Sequence, residues 1–227
     1  MFFAVDSSGT DSIQVWGGIL LPLDKVPLFE DAFLRIRLEH TLFGEIKWQG
    51  IDRKYHREYC DFLDLFFKEE LATFHSVGFR VGEEKYKAVY KLLQWITWKV
   101  RGAGYDKPLM ALFDNEGGLA KSELAIIRGL APADPNFRMP LTYCNQGTSH
   151  TLGLLQVADL LTGAVRTEAI SSVNRLADYK KYVYDYILAR NDGIPLTIYP
   201  PRMPRLYKQK MHYMELSPKN PKLYAAS

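Results

Sequence analysis

The sequence has few cysteines and no long hydrophobic run. Only two cysteines, Cys60 and Cys144, occur in 227 residues, and they form neither a CxxC pair nor a Cys/His spacing, which argues against a disulfide framework and a zinc site. No stretch of about 18 apolar residues occurs, and the apolar start lacks the basic segment of a signal peptide and is interrupted at Asp6. We therefore expect a soluble, cytoplasmic protein without a membrane partner.

The formal charge of +3 is small but unevenly distributed along the chain. The stretch from Arg175 to Lys222 contains ten lysines and arginines against four acids. Such a stretch is typical of proteins that bind polyanions, although any single lysine can equally belong to a solvated surface. Composition therefore favours a nucleic-acid partner without distinguishing DNA from RNA.

Predicted strands and helices alternate after an opening hairpin. Apolar and alternating runs predict strands at 2–5, 13–22, 72–81, 109–113 and 139–144. Helical periodicity predicts helices at 23–42, with Asp24 as N-cap and Leu28, Ala32, Phe33, Ile36 and Leu38 as the apolar face, and at 52–70, 83–101, 120–129, 152–169 and 174–191. This order predicts an α/β domain with a mixed sheet flanked by helices over residues 1–194, ending in an additional C-terminal helix. A Pro-rich basic tail is predicted over 195–227.

Two of the predicted strands end in an aspartate. The apolar run 2–5 leads into Asp6 and the run 109–113 leads into Asp114, and turn residues follow each of them. A carboxylate beside a core is uncommon unless it is paired or holds a metal. The alternative is that each aspartate only caps its turn by accepting backbone N–H bonds. The repetition of the pattern favours a shared functional role.

The most apolar predicted helix, at 152–169, carries polar residues on one narrow face. Gln156, Asp159, Gly163 and Arg166 are spaced at i, i+3, i+7 and i+10. A buried carboxylate there must be paired or coordinate a metal, because burying it alone is costly. A contact from Asp159 to Arg166 or to the backbone, which only locks the helix, is the alternative.

Three acids are expected to converge: Asp6, Asp114 and Asp159. Like charges held close together repel, so a stable cluster implies a bound cation, and oxygen ligands without His or Cys favour Mg²⁺ or Mn²⁺. Glu45 is the predicted fourth ligand, and Lys47 is placed to meet a phosphate or to stabilise negative charge. Carboxylate-held Mg²⁺ is suited to in-line phosphoryl transfer.

These acids lie in four short motifs: Val5-Asp6-Ser7-Ser8-Gly9, Gly44-Glu45-Ile46-Lys47-Trp48, Leu112-Phe113-Asp114 and Leu155-Gln156-Val157-Ala158-Asp159-Leu160-Leu161. Together the motifs resemble the domain-of-unknown-function family 3800, which is grouped with ribonuclease H-like folds. The resemblance runs from about residue 2 to residue 166. It implies a ribonuclease H-like core with a metal-binding acidic site, and family members often occur in mobile-element and phage-defence contexts.

Carried over by position, the resemblance assigns the site to Asp6, Glu45, Asp114, Gln156 and Asp159. Gln156 is expected to orient Asp159 or a water rather than to bind metal. The chain departs from the family's usual Asp-Glu-Ser-Gly turn, because Ser7 stands where the family has glutamate. Glu116 is the residue that we expect to compensate if that glutamate serves a metal.

Further polar and aromatic residues have two readings each. Ser149 and His150 are candidates to contact substrate, with a capping or loop role as the preferred alternative for His150. Tyrosines in the basic tail are expected to stack on single-stranded bases or to strap the tail to the protein surface: Tyr199, Tyr207 and Tyr213. Aromatic residues of the predicted helix at 83–101 are expected in the core: Tyr86, Tyr90, Trp95 and Trp98.

The leading functional hypothesis is a Mg²⁺-dependent (or Mn²⁺-dependent), ribonuclease H-like nuclease or related phosphoryl-transfer enzyme acting on nucleic acid. In it, the four acids hold the metal, Lys47 stabilises charge and Gln156 completes the site. The first alternative is a non-catalytic nucleic-acid-binding or partner-binding module with a degenerate site, which the departure at Ser7 supports. The second alternative is an enzyme acting on a small phosphorylated substrate.

Overall fold

The computed structural model describes residues 1–9, 13–80, 85–115, 119–197 and 210–216. These residues form one mixed sheet with helices on both faces. The strands are β1 (Phe2–Ser8), β2 (Ile13–Leu21), β3 (Thr73–Arg80), β4 (Leu109–Asp114), β5 (Leu141–Gly147) and β6 (Met211–Glu215). The helices are α1 (Val26–Glu39), α2 (Glu58–Lys68), α3 (Lys85–Gly102), α4 (Lys121–Leu130), α5 (Gly153–Ala169) and α6 (Asp178–Arg190).

The strand order in the sheet is β5-β4-β1-β2-β3-β6. Strands β1, β2 and β3 form an antiparallel meander, whereas β4 runs parallel to β1, β5 parallel to β4 and β6 parallel to β3. Helices connect the parallel strands, as they must when a chain returns to the same end of a sheet. The architecture is the ribonuclease H-like α/β fold, which confirms the predicted fold class.

Strand β1 lies inside the sheet and is covered on both faces. Phe2 and Ala4 belong to the hydrophobic cluster formed with α1, α2, α5 and α6, and Phe3 and Val5 to the cluster formed with α3 and α4. A strand that is buried on both faces has a continuous apolar sequence rather than an alternating one. This explains the run that opens the chain.

The apolar face predicted for α1 is partly confirmed, whereas its predicted cap is wrong. Phe33 is buried and Ile36 packs against the core cluster, as expected. Leu28 and Leu38 are instead 62% and 57% exposed, and Phe29 is buried. Asp24 lies in a single 3₁₀ turn that precedes α1, and the N-cap residue of α1 makes no side-chain hydrogen bond.

Two further helices begin later than the sequence predicts. Asp52 accepts the backbone N–H groups of Lys54 and Tyr55, both at 2.8 Å, and this side-chain turn keeps residues 53–57 out of α2. Helix α6 begins at Asp178 instead of residue 174, because 173–175 form a separate 3₁₀ turn. Strand β5 (Leu141–Gly147) extends three residues beyond the end of the strand predicted at 139–144.

Part of the predicted tail is a strand of the domain. Residues 211–215 form β6 and extend the sheet beyond β3, and the Lys210 ammonium donates to the carbonyls of Phe66 (3.1 Å) and Glu69 at the end of α2. Tyr213 is only 4% exposed, so its predicted stacking role is wrong. The remaining tail tyrosines, Tyr199 and Tyr207, lie outside the described residues.

The aromatic residues of α3 divide between core and surface. Tyr86, Tyr90 and Trp95 pack against the cluster on that face of the sheet, as expected, whereas Trp98 is 55% exposed. Trp98 lies on the solvent side of α3, outside the face formed by the buried residues of this helix. Among the described helices, none has the length and apolarity that a membrane-spanning segment requires.

Candidate functional site

The carboxylates of β1 and β4 both face α5. Alternate residues of a strand point to opposite faces, so Asp6 shares its face with Phe2 and Ala4, which pack in the cluster containing α5. The same alternation puts Asp114 on that face of β4. The two strands pair with Val5 opposite Phe113, which makes Asp6 and Asp114 neighbours at the carboxyl ends of parallel strands. They are 6% and 4% exposed.

Asp159 of α5 is in hydrogen-bond contact with Asp6. Burial, and next the charge of Asp159, raise the pKa of Asp6 well above its ordinary value, and the charge of Asp114 adds to the effect. Burial also raises the pKa of Asp159, to about 6. Two carboxyl groups held in hydrogen-bond contact commonly share one proton between them.

Asp6 also supports its own turn. The backbone N–H of Ser7 donates to Asp6 Oδ1 at 2.6 Å. The capping and clustering readings of Asp6 therefore apply together. Asp114 is fixed in a similar way, because its Oδ1 accepts the backbone N–H of Ser149 at 3.1 Å.

Glu45 lies beside these acids and is surrounded by donors. The Ser149 hydroxyl donates to Glu45 Oε1, and the Lys47 ammonium is 2.8 Å from Oε2. His150 Nδ1 is 3.4 Å from the same oxygen. The Glu45 side chain is 9% exposed, and its charge contributes to the raised pKa of Asp159. Ser149 thus links Glu45 to Asp114, and the four acids form one electrostatic unit.

Helix α5 holds the loop that carries Glu45. Gln156 Oε1 accepts the backbone N–H of Ile46 at 2.8 Å, and Gln156 Nε2 donates to the carbonyl of Ser149 at 2.8 Å. Asp159 accepts the backbone N–H of Trp48. The expectation that Gln156 orients Asp159 is therefore wrong, because both ends of its amide bind backbone groups that flank Glu45.

A glycine on α5 makes room for that loop. A Cβ atom placed on Gly163 would lie 2.2 Å from Trp48 Cγ and 2.4 Å from Trp48 Cβ. Trp48 itself is only 7% exposed. The polar face predicted from spacing is thus a docking face for residues 45–48. Of the two contacts that spacing allowed for Asp159, the one to the backbone is observed, from the N–H of Trp48, while Arg166 Nε donates to the carbonyl of Ile13 at 3.4 Å.

Two residues near the site carry no clear sequence signal. Lys180 of α6 places its ammonium 5.8 Å from the centre of the Trp48 ring, and although burial lowers its pKa, the charge of Asp159 acts in the opposite direction. Glu30 of α1 accepts the backbone N–H groups of Gly153 (2.7 Å) and Leu154 (2.9 Å). It therefore caps α5, whereas His150 lies in the 3₁₀ turn Ser149–Thr151 before that helix, in agreement with the loop role considered for it. Only the basic excess of the C-terminal stretch pointed towards Lys180.

The donor set fits a hard divalent cation in its chemistry. Its members are carboxylates, and burial together with the charges of Asp159 and Asp114 raises the pKa of Asp6; a bound cation would act in the opposite direction. Within the described part of the chain, no group of three or more His, Cys, Asp or Glu side chains is arranged as a metal-binding set. Glu45 is instead paired with Lys47. The predicted compensating residue, Glu116, lies outside the described residues.

Comparison with known proteins yields no relative from which a function can be transferred. No protein-family model matches the chain, and no curated protein matches it.

Proposed function

We propose that the chain is a divalent-metal-dependent nuclease, or a related phosphoryl-transfer enzyme, that acts on nucleic acid. The observation that carries the proposal is the buried contact between Asp6 and Asp159, with Asp114 close enough to raise the pKa of Asp6 further. Such a cluster costs stability at neutral pH unless a cation balances it. The cluster lies at the carboxyl ends of two parallel strands, and carboxyl groups with perturbed pKa values in such a position favour a functional role over a structural one.

In this proposal Asp6, Asp114 and Asp159 hold Mg²⁺ or Mn²⁺, and Glu45 joins them when it exchanges its contact with Lys47. The metal supplies activation of a water and stabilisation of the leaving oxygen. The Lys47 ammonium, whose side chain is 34% exposed beside Glu45, would then contact a phosphate of the substrate. Gln156 keeps the Glu45 loop in place during this exchange through its hydrogen bond to Ile46.

Nucleic acid is the substrate class that agrees with the charges around the site. Lys47 and Lys180 both lie beside Asp159, so cations flank the acids that would hold a metal. Cations neutralise the phosphates next to the scissile bond, and a polymer brings several such phosphates. A small phosphorylated substrate would need only one of these cations and would show little dependence of binding on salt concentration.

Thermal unfolding in Mg²⁺, in Mn²⁺ and in EDTA tests the metal site directly. Saturating metal should raise the melting temperature of the wild type by roughly 5–10 °C, because a ligand that binds only the native state stabilises it. Asp6→Asn should abolish the rise and should melt no lower than the wild type in EDTA, since it removes a buried, repelled carboxylate. The matched control is Asp31→Asn, the same change at an exposed position of α1.

The control variant should respond to metal as the wild type does. Equal metal-dependent shifts in the wild type and in Asp6→Asn would overturn the proposed site. The activity itself requires that labelled single-stranded or duplex substrates be cleaved with Mg²⁺ or Mn²⁺ by the wild type and not by Asp6→Asn.

A second candidate function is a nucleic-acid-binding module without catalysis. Two observations favour it. The Glu45 carboxylate already contacts Lys47, Ser149 and His150, and a serine stands at position 7. A module of this kind would bind nucleic acid equally well in EDTA and in Mg²⁺, and no metal would produce cleavage. The two candidates therefore differ in the metal response, which the unfolding experiment measures.

A further inference from the structure

A short basic segment precedes α2, and its role is not explained by the fold. Residues 53–57 read Arg53-Lys54-Tyr55-His56-Arg57, and the three cations Arg53, Lys54 and Arg57 are exposed. We call this segment the basic turn. It is held in shape by Asp52, which accepts the N–H groups of Lys54 and Tyr55, so the cations are presented on a defined backbone.

The basic turn and the start of α6 line an open surface cavity of about 610 Å³. Its lining consists of Arg53, His56, Ala177, Asp178, Tyr179 and Tyr182. Tyr182 is 47% exposed, and its ring meets the His56 ring edge to face, with centroids 5.2 Å apart. We call this space the tyrosine cavity. Its volume is within the range of small-ligand sites, roughly 300–1,000 Å³, and suits one or two nucleotides.

The tyrosine cavity is connected to the acidic cluster through consecutive residues of α6. Tyr179 lines the cavity, and the ammonium of the next residue, Lys180, lies 5.8 Å from the centre of the Trp48 ring. Trp48 in turn donates its backbone N–H to Asp159. The charge of Asp159 also acts on Lys180, so consecutive residues of α6 lie at the cavity and beside the acidic cluster.

We propose that the basic turn and the tyrosine cavity bind single-stranded nucleic acid and lead it to the acidic cluster. The inference rests on the proposed function, because it names the substrate class and the surface that delivers it. Exposed aromatic rings beside cations are the combination with which proteins grip single strands: bases stack on the rings and phosphates meet the cations. Arg53 and Tyr182 are the two anchors.

The geometry favours a single strand over a duplex. Paired bases expose only their edges, so a tyrosine face inside a cavity has nothing to stack on unless the base is unpaired. The charges beside the cavity are mixed. Arg53 and Asp178 both line it, and the exposed Lys54 of the basic turn has Asp52 and Glu58 near it, while Lys181 is paired with Asp185 at 2.8 Å. Arg53 is therefore the cation that we assign to a phosphate.

The test is fluorescence anisotropy with labelled oligonucleotides of ~12 nucleotides, a typical site size for single-strand binders, measured in EDTA so that no cleavage occurs. The probes are single-stranded DNA, single-stranded RNA and the matched duplex. Tyr182→Leu, which keeps an apolar side chain but removes the stacking face, should weaken single-strand binding roughly 5- to 100-fold. Arg53→Gln should weaken binding and reduce the slope of log K against log salt by about 0.7.

The matched controls lie on α3, on the opposite face of the sheet. Trp98→Leu removes an aromatic ring that is 55% exposed, and Lys91→Gln removes an exposed cation. Both should bind as the wild type does. Thermal unfolding of every variant confirms that the fold is kept, which is expected because all four positions are solvent-accessible.

The outcomes separate this inference from the proposed function. Weaker single-strand binding by Tyr182→Leu and Arg53→Gln, with Asp6→Asn binding normally, supports the inference even if no condition produces cleavage. Metal-dependent cleavage together with unchanged binding by both cavity variants would overturn the inference and leave the proposed function standing. Duplex binding as tight as single-strand binding, or no nucleic-acid binding by the wild type, would also overturn it.

Discussion

Gly163→Ala and Gly129→Ala make the same chemical change in two helices and should change stability in opposite directions. In a helix interior, replacing glycine by alanine stabilises the protein by roughly 0.5–1 kcal/mol when the methyl group has room. A Cβ atom on Gly129 of α4 meets no atom within 4 Å. Gly129→Ala should therefore raise the free energy of unfolding by about 0.5 kcal/mol.

At Gly163 the methyl group would collide with the root of the Trp48 side chain, its Cβ and Cγ atoms, rather than with a flexible end. Overpacking of this kind costs about 1–3 kcal/mol. After subtraction of the gain in helix propensity, Gly163→Ala should lower the free energy of unfolding by about 1–2 kcal/mol. The displacement of Trp48 should also weaken its N–H bond to Asp159.

Urea denaturation followed by tryptophan fluorescence measures both variants under the same conditions, and equal slopes of free energy against urea would show that only stability has changed. The two variants should differ by about 2 kcal/mol. If Gly163→Ala were as stable as Gly129→Ala, the close packing of Trp48 on α5 would be refuted, and with it the account of how the Glu45 loop is held.

Two further predictions concern His212 and Glu30, which are not members of the acidic cluster. Burial lowers the pKa of His212 to about 3, so below its ordinary value of about 6.5 the unfolded chain binds a proton that the native chain does not, and stability falls as the pH falls. His212→Phe, which keeps a ring against His75, should reduce that slope by about 1.4 kcal/mol per pH unit between about pH 6 and about pH 4; an unchanged slope in urea titrations would contradict it. Glu30→Ala should destabilise the protein by about 1–2 kcal/mol, because α5 loses its cap. The control is Glu39→Ala, at an exposed position of α1, the helix that also carries Glu30; it should change the melting temperature little.

The sequence predicts best those elements whose hydrophobic pattern fits a single structure. The run 2–5 is apolar at every position, and only a strand covered on both faces needs such a sequence. Helix α1 illustrates the opposite case. Its leucines and phenylalanines satisfy more than one helical face, and the choice of Phe29 and Phe33 depends on which helices pack against it. Strand β6 was missed because its pairing partner, β3, lies more than a hundred residues earlier in the chain.

The candidate site also has features that the sequence predicts and features that it does not. The contact of Asp6 with Asp159 follows from strand alternation and from the polar face of α5, both of which can be counted in the sequence. The roles of Gln156 and Glu30 could not be predicted, because each side chain accepts backbone N–H groups of a segment far away in the chain. Every residue type except proline has such an N–H group, so the sequence does not identify the partner. That the acids hold a metal stays a prediction, to be decided by the unfolding experiment.

The long reach of α5 has a consequence for the order in which the protein matures during synthesis. The hydrogen bonds from Ile46 to Gln156 and from Trp48 to Asp159 join residues 110 and 111 positions apart. A nascent chain that has left the ribosome only as far as β4 contains Asp6, Glu45 and Asp114 but neither Gln156 nor Asp159, the two α5 side chains that bind the backbone of the Glu45 loop. Whatever chemistry the acids perform, it is withheld until the last third of the chain has been made and packed, so incomplete chains are expected to be inert.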